Sequence, residues 1–259
     1  MNKLLTTLLL SVFTVGVVYA QEETPELNVA LHSFPPFQYK ENGEIIGPTL
    51  KIINTICDEA RVKCNITMGA FNEQYEKAIK NEADIIITFL INNDVERNKL
   101  FLLSPPILKT SYSFFVNSDS KWVWTGNIRD LDGRNIGAYG PSGTSNIAKR
   151  LIDENTKATM VLEKTNLVVF EKLISSLYGE KACIIVNTDV GLAYLRKGNI
   201  TGPKIAGKIE DGYFGLGFVR SSSKFYLAPR IMKAIEVSKK NGLIPYYLKN
   251  NDPPLVPAN

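Results

Sequence analysis

Asp84-Ile85-Ile86-Ile87-Thr88-Phe89-Leu90-Ile91-Asn92-Asn93-Asp94-Val95-Glu96-Arg97 is the stretch on which the reading of the fold turns. A short apolar strand, with 85–87 at its heart, runs into a polar loop that carries a guanidinium. That group is a rigid plane of five N–H donors, and it matches a carboxylate better than any other side chain does. Beyond the end of a sheet strand is where open α/β sheets bind their ligands. Arg97 therefore predicts a grip on a small anion. The plainer alternative is a surface ion pair with Glu96 or Asp94.

Outward from this block, strands and helices alternate. Strands are expected at 27–31, 64–68, 84–89, 112–116, 135–138, 159–162, 182–186 and 214–219. Helices are expected at 48–60, 72–81, 145–154, 167–178, 189–197 and 225–241. Alternation of this kind argues for an α/β protein with largely parallel sheets. The same program starts twice, near Leu27 and near Asn135. Two α/β lobes are therefore expected, with 112–116 and 214–219 as the crossings between them. Lobe one takes 21–110 and 213–259, and lobe two takes 111–212.

The N-terminus reads as an export signal. Lys3 supplies the positive start, 4–18 the apolar stretch, and Val18-Tyr19-Ala20 a small-residue cleavage site. A transmembrane anchor is the alternative, but a span needs about 20 apolar residues, and Gln21-Glu22-Glu23 follows at once. Residues 1–20 are thus expected to be removed after Ala20, leaving a soluble periplasmic chain. No cysteine stands at the cleavage site to take a lipid anchor. The formal charge of +4 falls to +3 when Lys3 leaves, and no basic block or stripe supports nucleic-acid binding.

Three cysteines are present. In an exported protein Cys57 and Cys64, seven residues apart, read as a disulfide tying the end of a helix to the next strand. Cys183 lies in the apolar run Ala182-Cys183-Ile184-Ile185-Val186 and reads as a buried thiol. His32 is the single histidine, so a metal site lacks ligands, and no cofactor is expected.

Several motifs in this order resemble the extracellular solute-binding proteins of family 3, the polar-amino-acid-binding class. They are Phe34-Pro35-Pro36-Phe37 after the first strand, the Gly43 to Gly47 turn, and Asp84-Ile85-Ile86-Ile87 with Glu96-Arg97 and Ser104-Pro105. Asp130-Leu131-Asp132-Gly133-Arg134-Asn135-Ile136-Gly137, the 179–187 segment and Phe214-Gly215-Leu216-Gly217-Phe218-Val219 complete the set. The Cys57/Cys64 spacing is similar to a disulfide of the histidine- and lysine/arginine/ornithine-binding members. The likeness runs from about Leu27 to Lys249. It implies a two-lobe, periplasmic-binding-protein-like (type II) fold that closes on a ligand by a hinge motion.

The resemblance also implies site residues. Arg97 matches the arginine that grips the ligand α-carboxylate. Phe34 matches the aromatic that stacks on the ligand side chain, with the lobe-one core as its alternative. Gln74 falls where the second helix offers a lining side chain. Asn92 stands where many members carry a Ser or Thr that hydrogen-bonds the carboxylate; its amide can donate too. Thr88 is a second candidate donor. In lobe two, Tyr139-Gly140-Pro141-Ser142-Gly143-Thr144-Ser145 places hydroxyls and backbone N–H groups at a helix start. Ser142, Thr144 and Ser145 can form an anion cradle; N-capping by Thr144 or Ser145 is the alternative, and both can hold at once.

Asn187 is the sharpest departure. Members that bind amino acids carry an Asp there, which pairs with the ligand ammonium. The Asn carbonyl can accept N–H bonds without the charge. Asp189 could substitute, or could cap the helix that starts beside it. The expected ligand is a small polar molecule, an amino acid or related carboxylate, with its carboxylate end better supported than its ammonium end. Trp122 and Trp124 read as a packed edge near the hinge, or as an exposed aromatic surface for a partner.

The same fold hosts cyclohexadienyl dehydratases, so fold alone does not decide function. An enzyme needs an acid or base in its cleft, and no spacing here indicates one; a binder, not an enzyme, is expected. The expected partners are the small ligand and either an inner-membrane ABC permease or a sensor. The chain is expected to be a monomer.

Overall fold

The structure is a computed structural model and describes residues 23–91, 94–153, 157–196, 200–253 and 255–258. The export signal at 1–20 lies outside the described residues. The first half of the chain forms β1 (Glu26–His32), β2 (Tyr39–Glu41), β3 (Glu44–Ile46), α1 (Pro48–Glu59), β4 (Lys63–Gly69) and α2 (Phe71–Ile79). Then come β5 (Ile85–Leu90), α3 (Val95–Leu100), β6 (Phe101–Leu103) and β7 (Leu108–Val116). The second half forms β8 (Asn135–Tyr139), α4 (Gly143–Asp153), β9 (Thr159–Glu163), α5 (Asn166–Ile174), β10 (Ala182–Asn187), α6 (Thr188–Arg196) and β11 (Lys204–Val219). The chain closes with α7 (Ala228–Lys240), α8 (Leu243–Lys249) and β12 (Val256–Pro257).

One curled sheet runs in the order β4-β1-β5-β11-β7-β10-β8-β9. In one wing β4, β1 and β5 are parallel; in the other β10, β8 and β9 are parallel. The antiparallel pair β7–β11 joins the wings. β5 and β10 are buried on both faces, so they read as continuous apolar runs. Ile85 and Ile87 look into the main core with Ile52, Ile53 and Ile56 of α1, while Ile86 and Phe89 face a separate cluster. In the second wing Cys183 and Ile185 face the main core, and Ile184 and Val186 pack on Val169, Phe170 and Leu173 of α5.

The register places the cleft. Leu90, at the carboxyl end of β5, pairs with Phe214. Asn187, at the carboxyl end of β10, pairs with Tyr112. Phe214 pairs with Leu108, and Tyr112 with Glu210. The carboxyl ends of the two wings thus converge from opposite sides on the middle of β7 and β11.

Several elements differ from the sequence expectation. The strand expected at 214–219 begins at Lys204. Gly207, Gly212, Gly215 and Gly217 hide its apolar pattern, and two bulges shift its register against β7. They are needed for close approach: a Cβ on Gly217 would come within 2.7 Å of the Phe89 ring. The helix expected at 225–241 is a 3-10 turn, Phe225–Leu227, followed by α7. Gly242, at φ +75, stops α7 and lets α8 start. The helix expected at 167–178 ends at Ile174, and Ser176 turns away at φ +56.

Cys57 and Cys64 form a disulfide that ties the end of α1 to β4. Cys183 is a buried free thiol, and burial pushes its pKa up to about 12. Trp122 and Trp124 pack on Phe114, with ring centres 5.4 and 5.1 Å away, which is the packed-edge arrangement.

Candidate functional site

A cleft of about 440 Å³ opens where the strand ends converge, within the range of about 300–1,000 Å³ usual for small-ligand sites. Its first wall comes from the ends of β1 and β5 and from α2 and α3. Its second comes from the β8–α4 turn, the start of α5 and the end of β10.

Thr88 shapes the first wall. It stands at φ +57, a conformation that costs a β-branched residue about 1–3 kcal/mol. It is the extra residue where β5 slips against β11, since Phe89 pairs with Gly215 and Ile87 with Leu216. The Thr88 hydroxyl accepts a hydrogen bond from Gln38, which also donates to the His32 carbonyl at 3.2 Å. The bulge therefore locks β5 to the loop after β1.

Arg97 lies on α3, half-buried at the cleft wall. Asp94 caps this helix, its side chain accepting the Arg97 backbone N–H at 3.0 Å. The guanidinium donates to the Leu90 carbonyl and sits 4.5 Å over the Phe89 ring, a cation–π contact. Burial pulls its pKa below the ordinary value, and Asp94 opposes this.

His32 ends β1 and is buried against Phe34 and Phe71, with ring centres 5.5 and 5.1 Å away. Burial pushes its pKa down to about 4, and its Nδ1 has no hydrogen-bond partner among the described residues. The imidazole is neutral near pH 7.

In the second wall, Ser142 caps α4. Its hydroxyl accepts from the backbone N–H of Thr144 at 3.2 Å and of Ser145 at 3.4 Å. The Ser145 hydroxyl accepts the Ser142 N–H at 2.9 Å in return. The cap is therefore Ser142, not Thr144 or Ser145. The Thr144 and Ser145 N–H groups of α4 are thus engaged within the protein, so the cradle is not empty of protein partners.

Asn187 is 2% exposed and caps α6. Its Oδ1 accepts the Val190 N–H at 3.3 Å and faces the Thr110 hydroxyl at 3.2 Å. Its amide nitrogen has no partner among the described residues. Asp189 does not line the cleft and does not make this cap; it accepts from the Thr110 hydroxyl, and burial raises its pKa. With its carbonyl taken, Asn187 has a donor left over, the reverse of the acceptor expected from sequence.

Of the sequence-predicted residues, Arg97, Phe34, Thr88, Ser142, Thr144 and Asn187 are brought together on one cleft. Gln74 is not: it is buried beneath α2 and accepts from the Thr67 hydroxyl at 3.3 Å. Ser145 is turned into the cap. Asn92 lies outside the described residues. Sequence reasoning missed Tyr112, Tyr139, Asn166 and the pair Phe71 and Tyr75, which also line the cleft. The last two stand four apart on α2, a spacing that puts them on one helix face. Tyr139 ends a parallel strand, where ligands bind in such sheets.

A search of curated protein sequences finds no significant match. Among solved structures, an ancestral arginine-binding protein bound to arginine superimposes with a TM-score of 0.74 at 22% identity. The alignment covers 86% of this chain and 96% of that one. A histidine kinase sensor domain with similarity to periplasmic binding proteins gives 0.74 at 17% identity, over 86% and 94%. The arginine-, lysine- and histidine-binding protein of the thermophilic bacterium Geobacillus stearothermophilus gives 0.72 at 17%, over 86% and 94%. These likenesses show a two-lobe, periplasmic-binding-protein-like fold. Residues 27–253 match the model of the bacterial extracellular solute-binding proteins, family 3, and the chain belongs to that family.

Proposed function

We propose that the protein is an exported solute-binding protein that captures a small carboxylate by closing its two lobes. Lobe one comprises 21–110 and 213–259, lobe two 111–212, and β7 and β11 carry the hinge. Arg97 grips the carboxylate, and Phe34 stacks on the ligand body. The observation that supports this reading is the Arg97 guanidinium fixed between the Leu90 carbonyl and the Phe89 ring at the wall of a 440 Å³ cleft. The protein acts by binding rather than turnover. A histidine whose pKa lies near 4 is a poor base at neutral pH.

The chain works in the periplasm and delivers its ligand to an ABC-type permease. Delivery to a sensor is the second reading, favoured by the equal TM-score of the kinase sensor domain. Permease genes beside its own would favour uptake. The deciding experiment is mass spectrometry of ligand released from purified protein, followed by calorimetry with wild type and Arg97→Ala. A carboxylate whose affinity falls at least tenfold is expected; unchanged affinity would remove Arg97 from the site.

A further inference from the structure

The two walls of the cleft differ in charge. The first carries the Arg97 guanidinium and an aromatic surface that includes Phe34, Phe71, Tyr75 and Phe89. Three carboxylates also stand on this first wall, two of them largely exposed. Glu96 pairs with Lys99 at 2.6 Å with its side chain 81% exposed, and Glu76 pairs with Lys80 at 3.7 Å with its side chain 57% exposed. Asp94 caps α3. Exposed pairs of this kind contribute little to holding a ligand charge.

The second wall is polar and uncharged. Its hydrogen-bonding side chains among the described residues are Tyr139, Ser142, Thr144, Asn146, Asn166 and Asn187. Two of the amides hold an enclosed atom with no partner among the described residues, Nδ2 of Asn187 and Oδ1 of Asn166. One is a donor and one an acceptor. Enclosed polar atoms without partners are costly, and a ligand that pairs them removes that cost.

We propose that the ligand is a hydroxy acid: a carboxylate with an apolar, ring-sized body and an uncharged hydroxyl in place of an ammonium. The inference rests on Arg97 holding the carboxylate. The hydroxyl meets the second wall, because a hydroxyl both accepts from an amide N–H and donates to an amide carbonyl. An ammonium buried there would face no carboxylate of that wall among the described residues, and a buried charge without a counter-charge is strongly disfavoured. The aromatic first wall favours an apolar body over a charged side chain.

Calorimetry with matched probes tests this. 3-Phenyllactate, 3-phenylpropionate and phenylalanine share one body and differ only in hydroxyl, hydrogen or ammonium; 2-hydroxyisocaproate and leucine form a second pair. Each hydroxy acid should bind at least about tenfold tighter than its amino acid, and phenyllactate tighter than phenylpropionate. Asn187→Asp keeps the acceptor for the Val190 N–H and so keeps the α6 cap. It should narrow or reverse the preference. Asn166→Asp, at the first position of α5, should do the same if the first variant misfolds. An amino acid that matches or outbinds its hydroxy acid overturns the inference. So does an unchanged preference in both variants, or no binding of any probe. In the last case the standard amino acids separate the two readings. Binding that is lost in Arg97→Ala leaves the carboxylate grip standing, and no binding at all sinks that as well.

Discussion

The Arg97 guanidinium carbon lies 4.5 Å above the centre of the Phe89 ring, eight residues earlier in the chain. Phe89 belongs to β5 and Arg97 to α3, so the contact holds the helix against the strand that precedes it. A lysine would keep the charge and lose both the planar fork and the stacking. Arg97→Lys should weaken carboxylate binding by about 1.5–3 kcal/mol, roughly tenfold to a hundredfold. Calorimetry with the released ligand measures this. An affinity equal to wild type would show that a point charge suffices.

His32 predicts an acid-sensitive stability. Its folded pKa is about 4, against 6.5 for the ordinary group. Between those values the unfolded chain takes up a proton that the folded chain refuses, so stability falls as pH falls through this window. The loss is about 3 kcal/mol once pH nears 4. His32→Phe suits a site already lined by Phe34 and Phe71. Denaturant unfolding from pH 7 to pH 4 should give a flatter profile for this variant. Parallel profiles would assign the acid sensitivity to other groups.

Thr88 predicts a stability effect at the strand bulge. Thr88→Val keeps the branched shape at positive φ but removes the oxygen that accepts from Gln38. A buried donor left without that acceptor should cost about 1–3 kcal/mol. Thr88→Asn supplies an oxygen and tolerates the left-handed region; it should cost less. If urea unfolding shows the valine variant as stable as wild type, the hydroxyl does not secure the bulge.

Gly143 predicts an effect on closure. A Cβ there would stand 3.0 Å from the Tyr112 hydroxyl and 3.1 Å from a Leu90 methyl. Leu90 belongs to the first wall and Gly143 to the second, so the two walls come close together here. Gly143→Val should reduce ligand affinity several-fold and leave the liganded protein with a larger radius of gyration in small-angle scattering. An unchanged radius and affinity would mean that the lobes absorb the added bulk.

Much of the fold was legible in the sequence. The runs at 85–87 and 182–186 are continuous apolar strands because both of their faces are covered, and they appear where expected. The Cys57–Cys64 bond was legible because it is local, spanning a helix end and the next strand. What escaped was governed by distant partners. The amino half of β11 has no apolar alternation, and it is a strand because β7 pairs with it along its length. Gln74 stands in a plausible sequence position, yet packing under α2 turns it away from the cleft.

The site divides in the same way. The sequence by itself determined the kinds of group present: a guanidinium after a buried strand, hydroxyls at a helix start, and an amide rather than a carboxylate at position 187. Only the tertiary structure decided what those groups can offer. Asn187 could accept or donate as far as its side chain is concerned. The Val190 N–H occupies its oxygen, so the atom it has left unused among the described residues is the donor. An amide has two ends of opposite polarity, and which end is left over depends on the neighbours that the fold brings to the other.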